Sequence, residues 1–183
     1  MSIATRRYTH KDLDETPDDG KRYEIIGGEL IVSAAPVRKH QKLSYRFTRL
    51  AGDHVDERNL GEVYFAPVDV EFSEEDVVQP DLLFIRADRL HIYRGNMVYV
   101  PPDIVLEIHS PSSSERDRTE KFALYERSGV PEYWQADPDG RTLAIYALNA
   151  SGRYERIEPI DGILRSRVLP ELIIDVAELF ADL

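Results

Sequence analysis

Four polar residues stand where core packing alone would not put them: Asp81, Glu107, Asp117 and Lys121. They fall in the stretch from Val77 to Asp137. There three apolar, strand-like runs (VVQPDLLFI, PPDIVLEIH and PEYWQAD) surround one charged, helix-like run, SPSSSERDRTEKFALYERSGV. Strand side chains alternate between faces with period two. Val105, Glu107 and His109 therefore share one face, and Ile104, Leu106 and Ile108 the other, which can bury under a helix. Asp81 shares a face with Leu83 and Ile85, opposite Leu82 and Phe84. Each apolar strand thus carries one carboxylate. A lone carboxylate in a buried strand is costly unless it is paired, hydrogen-bonded or on a metal. Two that meet side by side repel unless a divalent cation or a lysine lies between them.

Lys121 can be that cation. Ser113 to Ser128 reads as a helix, with Ser-Pro-Ser at its start and Gly129 just past its end. Asp117, Lys121 and Tyr125 lie four apart and share one side of it. Laid back across the sheet, such a helix can aim Lys121 at both carboxylates. Asp117 can orient Lys121 by an ion pair or cap the helix N-terminus, where a carboxylate is favoured. Two carboxylates, a lysine and a metal are one solution to phosphodiester hydrolysis. The metal polarises the phosphate and acidifies a bound water, and the lysine orients that water or stabilises developing charge. Mg2+ suits an all-oxygen site of one or two carboxylates, and Mn2+ is the other expected ion.

The order Pro80-Asp81, then Glu107 on an apolar strand, then Lys121, resembles the PD-(D/E)XK nuclease superfamily. More narrowly, RYEIIGGEL, PDLLFI and DIVLEIHSPSSSERDRTEKFALYERSGVPEYWQADP resemble the Uma-two family of restriction-endonuclease-like proteins. The likeness covers nearly the whole chain and is sharpest from Glu107 to Pro138. It implies a restriction-endonuclease-like α/β (α+β) fold, with a central mixed sheet flanked by helices. It also implies a metal-dependent nuclease core, with Asp81 and Glu107 as metal ligands and Lys121 as the catalytic lysine. In the superfamily's commonest form the lysine stands two residues after the Glu, a position held here by His109. The family moves it onto the following helix, which Lys121 fits. The family pattern also has a Glu at Glu24 and a His at His40. A nuclease that cuts two strands is expected to act as a homodimer or higher homo-oligomer, with DNA as the expected nucleic acid.

Composition sets bounds on this. The chain has 183 residues, 42% hydrophobic and 31% charged, which fits one domain, residues 1–183, with a real core. With no cysteine there is no disulfide framework, zinc knuckle or thiol nucleophile. The opening MSIATRRYTH lacks the apolar core of a leader, and no run reaches membrane-spanning length, so a cytoplasmic protein with no membrane partner is expected. The net charge of −11 counts against a nucleic-acid binder, whose phosphate contacts come from a basic face. Locally the sign reverses. Arg38, Lys39, Lys42, Arg46 and Arg49 run without an acid, and Arg116 and Arg118 cluster near Lys121. Of these, Arg38, Lys39, Lys42, Arg116 and Arg118 are the candidate phosphate contacts.

The remaining elements must position these groups. A short helix is expected from His10 to Glu15. Arg22–Ile26 and Glu29–Ser33 read as a hairpin about Gly27-Gly28. Glu24 on that hairpin is either solvated or accessory to the site. A long helix is expected over Lys39–Arg58, with His40 in its first turn and His54 on its apolar stripe as a structural residue. Gly61–Phe72 reads as one strand broken near Pro67, and Arg86–Pro102 as a loop. Trp134 reads as core, and Gln135, on the opposite face, can approach the site. A second hairpin spans Thr142–Glu158, Ile163–Arg165 adds a strand, and a helix closes over Val176–Leu183. For Asp81, Glu107 and Lys121, residue chemistry alone favours a structural ion-pair cluster, and the extended resemblance reverses that balance. The acidic surface and the missing lysine at His109 also allow an inactive nuclease-fold module that binds nucleic acid or a protein partner.

Overall fold

The computed structural model describes residues 6–110 and 117–183. After α1 (His10–Leu13) come β1 (Arg22–Ile26), β2 (Glu29–Ser33) and the long α2 (Arg38–Arg58). Then follow β3 (Gly61–Phe65), β4 (Asp69–Ser73), β5 (Asp76–Val78) and β6 (Leu82–Arg86). A 3-10 turn (Ala87–Ile92) leads through β7 (Tyr93–Arg94) and β8 (Met97–Val98) to β9 (Ile104–Ile108). A π-helical turn (Asp117–Lys121) runs into α3 (Phe122–Ser128). The chain ends with β10 (Glu132–Asp137), β11 (Thr142–Leu148), β12 (Tyr154–Ile157), β13 (Ile163–Arg165), β14 (Ile173–Asp175) and α4 (Val176–Leu179).

Two mixed sheets organise these elements. The central sheet has the order β12-β11-β10-β9-β6-β3, and the second β2-β1-β5-β4-β8-β7. β9 and β10 pair in parallel, with Glu107 beside Gln135, while β6 runs antiparallel to β9. Parallel neighbours need a crossover, and α3 is part of it.

Alternation sorts the central strands between two cores. Ile104, Leu106 and Ile108 join Leu82, Phe84 and Trp134 under α2, against its Leu43, Phe47 and Val55. Val105, Leu83 and Ile85 face the other way, toward Leu124 and Tyr125 of α3 and Val70 and Val78 of the second sheet. Every residue of β9 is therefore buried, and a sheet covered on both faces reads as a continuous apolar run. The α2 helix stops where Asn59 turns left-handed at φ 53°, a conformation Asn tolerates well. Among the described residues no helix is long and apolar enough to cross a membrane.

The structure departs from several expectations. Gly61–Phe72 is two strands in different sheets, β3 and β4, parted around Pro67. Proline cannot donate to a ladder, and the chain changes sheets there. The stretch expected to be a loop after Arg86 holds the 3-10 turn and the β7–β8 pair. The last helix covers only Val176–Leu179, and the first ends at Leu13. The helix leading to Ser128 winds as π over Asp117–Lys121 before becoming α, and its expected start lies outside the described residues.

Candidate active site

Asp81 sits immediately before β6 and is 2% exposed. Its Oδ2 accepts from the Ile108 N–H at 2.7 Å and from His40 Nε2 at 3.0 Å. Ile108 follows Glu107 in β9, so this bond ties the start of one central strand to the end of its neighbour. Glu107 Oε1 accepts from Lys121 Nζ at 2.9 Å and from the Tyr125 hydroxyl at 2.6 Å. Lys121 Nζ also donates to Glu24 Oε1 at 2.8 Å, and the same oxygen takes the Gln79 N–H at 2.9 Å. Glu24, Glu107 and Lys121 are each about 2% exposed. The π-helical turn ends on Lys121, and α3 begins one residue later, so Lys121 and Tyr125 lie one α-turn apart and reach the same carboxylate. Single-turn π segments often occur at functional sites.

A charged partner that the sequence pattern did not reveal completes the group. Arg22 Nη2 donates to Asp81 Oδ1 at 2.7 Å. Arg22 and Glu24 are two apart on β1, so they leave the same face. That spacing was the one signal in the sequence, but it gains meaning only with β1 placed beside the central sheet. Arg22, Glu24, His40, Asp81, Glu107 and Lys121 line one cavity of about 160 Å³. Burial alone would raise the Asp81 carboxyl, but the His40 hydrogen bond, then the Arg22 charge and the Ile108 N–H, hold it well below the usual carboxylate range. Burial alone would lower the Arg22 guanidinium, but Asp81, then Glu107 and Glu24, raise it above its ordinary value. Burial, then Glu107, pushes the Tyr125 hydroxyl far up. Asp81 is thus a fixed anion, and Tyr125 a fixed proton donor to Glu107.

Two buried strand-end carboxylates, bridged through a backbone amide and served by a lysine from the crossover, form one connected unit. The Uma2 family pattern, described as "Putative restriction endonuclease", matches residues 10–177. The chain belongs to the Uma2 family. A crystal structure titled as "a putative nuclease belonging to DUF820 from Anabaena variabilis ATCC 29413" is similar in fold, with a TM-score of 0.80. At 20% identity the likeness covers 94% of this chain and 97% of that one. The "Uncharacterized protein sll1609" of Synechocystis sp. is 24% identical over 106 residues. That match covers 57% of this chain, and it spans 59% of the curated relative's length.

Other candidates in this Uma2 chain are more dispersed. His109 is 6% exposed and its Nδ1 lies 3.4 Å from Arg118 Nη2. Arg118 also pairs with Asp137 at 3.1 Å. Both residues line a separate cavity of about 430 Å³ with Gln135 and Arg156. Gln135 sits in register with Glu107 but opens toward that second cavity. Lys39 pairs with Asp139 at 2.8 Å, and Lys42 donates to the Asp182 carbonyl. Arg38 is exposed at the start of α2. Arg116 and the Asp117 side chain lie outside the described residues. His54 donates to the Pro170 carbonyl at 2.8 Å, a structural bond.

Among the described residues no three His, Cys, Asp or Glu side chains are grouped to hold a metal. A soft or borderline ion that takes most of its ligands from side chains is therefore poorly served. The donor set suits a hard ion better. Mg2+ needs only one or two carboxylates and keeps several waters, and Asp81 and Glu107 supply carboxylate oxygens at the cavity wall. Three carboxylates, Glu24, Asp81 and Glu107, also face the two permanent cations Arg22 and Lys121 around the cavity.

Proposed function

We propose that this Uma2 chain is a metal-dependent endonuclease hydrolysing phosphodiester bonds of nucleic acid, with DNA as substrate. The observation that carries this is Lys121, whose ammonium lies between Glu24 and Glu107 at one cavity wall shared with Asp81. Asp81 and Glu107 would hold Mg2+ or Mn2+, which supplies phosphate polarisation and an acidified water. The protein's own groups do the rest. His40 and the Ile108 amide fix the Asp81 carboxylate in one orientation. Tyr125 fixes Glu107 by a hydroxyl that stays protonated. Lys121, desolvated and held by two carboxylates, is a pre-positioned cation for charge developing on the phosphate or its attacking oxygen. A homodimer in the cytoplasm is the accompanying reading, since two copies serve two strands.

The first step of the test is independent of any recognition sequence. Mn2+ is titrated calorimetrically into wild type, Asp81→Asn and Glu107→Gln, and labelled DNA and RNA are then incubated with Mg2+. We expect wild-type binding that both variants lose, and DNA cleavage that Lys121→Ala slows by about 100-fold or more. An inactive module that binds nucleic acid or a protein partner is the second reading. It is favoured by the net charge of −11 and by the engagement of both Asp81 oxygens with protein donors. Metal-independent nucleic-acid binding without cleavage would decide for it.

A further inference from the structure

Of the two Asp81 oxygens, Oδ2 is committed twice, to His40 and to the Ile108 amide. Oδ1 is held by Arg22 at 2.7 Å. Oδ1 is therefore the oxygen an incoming cation would take, and a guanidinium stands on it. A doubly charged ion and a guanidinium at one oxygen repel each other, so the two compete. Lys121 is a poor candidate to yield, because Glu24 and Glu107 hold it from two sides and its side chain is 3% exposed. Arg22 is freer, with its side chain 20% exposed against 2% for Asp81.

There is also space for it to move. Arg22, His40 and Asp81 line a second cavity of about 570 Å³ as well, which opens beside Tyr45, Thr48 and Phe65. A guanidinium released from Oδ1 can rotate into that space while remaining at the site. Its planar fork then matches two phosphate oxygens, which a lysine's point charge does not.

We propose that Arg22 is an exchangeable cation: it neutralises Asp81 in the metal-free site and is released to a nucleic-acid phosphate when a divalent ion takes Oδ1. This rests on the nuclease reading above. It gives Arg22 opposite effects on two ligands. A purely structural ion pair would give effects of one sign.

The experiment compares wild type, Arg22→Met and Arg22→Lys. Mn2+ affinity is measured by calorimetry, and affinity for a short phosphorothioate DNA strand by anisotropy in Mg2+. We expect Arg22→Met to bind Mn2+ about tenfold tighter and the DNA strand about tenfold weaker, the scale of one charge-assisted contact. Arg22→Lys should fall between. Mn2+ binding that is unchanged or weaker in Arg22→Met overturns the exchange. Should Arg22→Met fail to fold, wild type alone decides. The isotope-labelled Arg22 Nε–H signal should shift during a Mg2+ titration, with the midpoint of the binding heat, while that of Arg89, paired with Asp103, stays fixed. An unmoved Arg22 signal with metal bound refutes the exchange and leaves the nuclease reading intact. No Mn2+ heat in wild type, with or without the DNA strand, refutes both.

Discussion

Buried carboxylates in this chain are told apart by what satisfies them. Glu132 is 0% exposed and looks as anomalous in PEYWQAD as Glu107 does in DIVLEIH. Yet it accepts from Trp134 Nε1, the Ser166 hydroxyl and the amides of Arg167 and Val168. Those donors pin the chain after β13 to the core, so Glu132 is a structural anchor. Asp103 likewise takes the Arg86 amide and Arg89. Glu24, Asp81 and Glu107 differ because they line one cavity with a shared lysine. His109 gives a measurable consequence at this scale. Burial, then Arg118, pushes its imidazole down to about 4 from an ordinary value near 6.5. Between those values the unfolded chain binds a proton that the folded chain does not. The His109 contribution to stability is therefore complete above pH ~6.5 and is lost as pH falls toward ~4, about 1–2 kcal/mol once solvent screening is allowed for. Urea midpoints of metal-free wild type and His109→Gln at pH 7 and 4.5 isolate this part. The variant should lose less stability on acidification, and equal losses would contradict a neutral buried imidazole.

At the scale of elements, what was legible followed from period two. The two faces of β9 and of β6, the fully buried Trp134 and the two hairpins come from residues that alternate over short distances. The lysine's helix was also readable, because Gly129 ends it and Tyr125 falls one turn beyond Lys121. Arg22 and the second sheet were not. They depend on β1 meeting β5 through Ile25 and Val77, far apart in sequence, and on a switch between sheets between Phe65 and Asp69. No local pattern encodes that pairing. The strand on the near side of that switch carries its own constraint. Gly61 opens β3 at φ +151°, and a Cβ there would strike the Ile85 carbonyl and approach the Ala87 amide and the Arg86 Cα. All three are backbone and cannot yield as a side chain would. Gly61→Ala should therefore cost about 2–4 kcal/mol and loosen β6, whose first residue follows Asp81. Equilibrium urea unfolding measures it, and a change under about 0.5 kcal/mol would mean that β3 re-seats freely.

The whole molecule carries a net charge of −11, which repels a polyanion, so binding must be local. The basic run on α2 is less open to a ligand than its sequence suggests. Lys39 is paired with Asp139, Arg49 lies 3.6 Å from Asp53, and Lys42 and Arg46 donate to carbonyls of Asp182 and Leu179. Lys42 and Arg46 thereby brace the C-terminal segment against α2. Two cavities meet the Glu107 face of β9 and β10, and each is lined by two cations: Arg22 and Lys121 in one, Arg118 and Arg156 in the other. Each neutralised phosphate releases counterions and adds about −0.9 to the slope of log affinity against log salt. A binder with a broad basic face shows slopes near about −6 to −9. Here, with Lys121 already held by two carboxylates, we expect about −2 to −3 for duplex DNA between about 50 and 200 mM KCl at fixed Mg2+. Anisotropy titrations measure this directly. Arg22→Met should make the slope shallower by about one, whereas Lys39→Ala should leave it unchanged because that lysine serves Asp139. A wild-type slope steeper than about −5, with Lys39→Ala reducing it, would show instead that α2 is the nucleic-acid face and that its ion pairs open on binding.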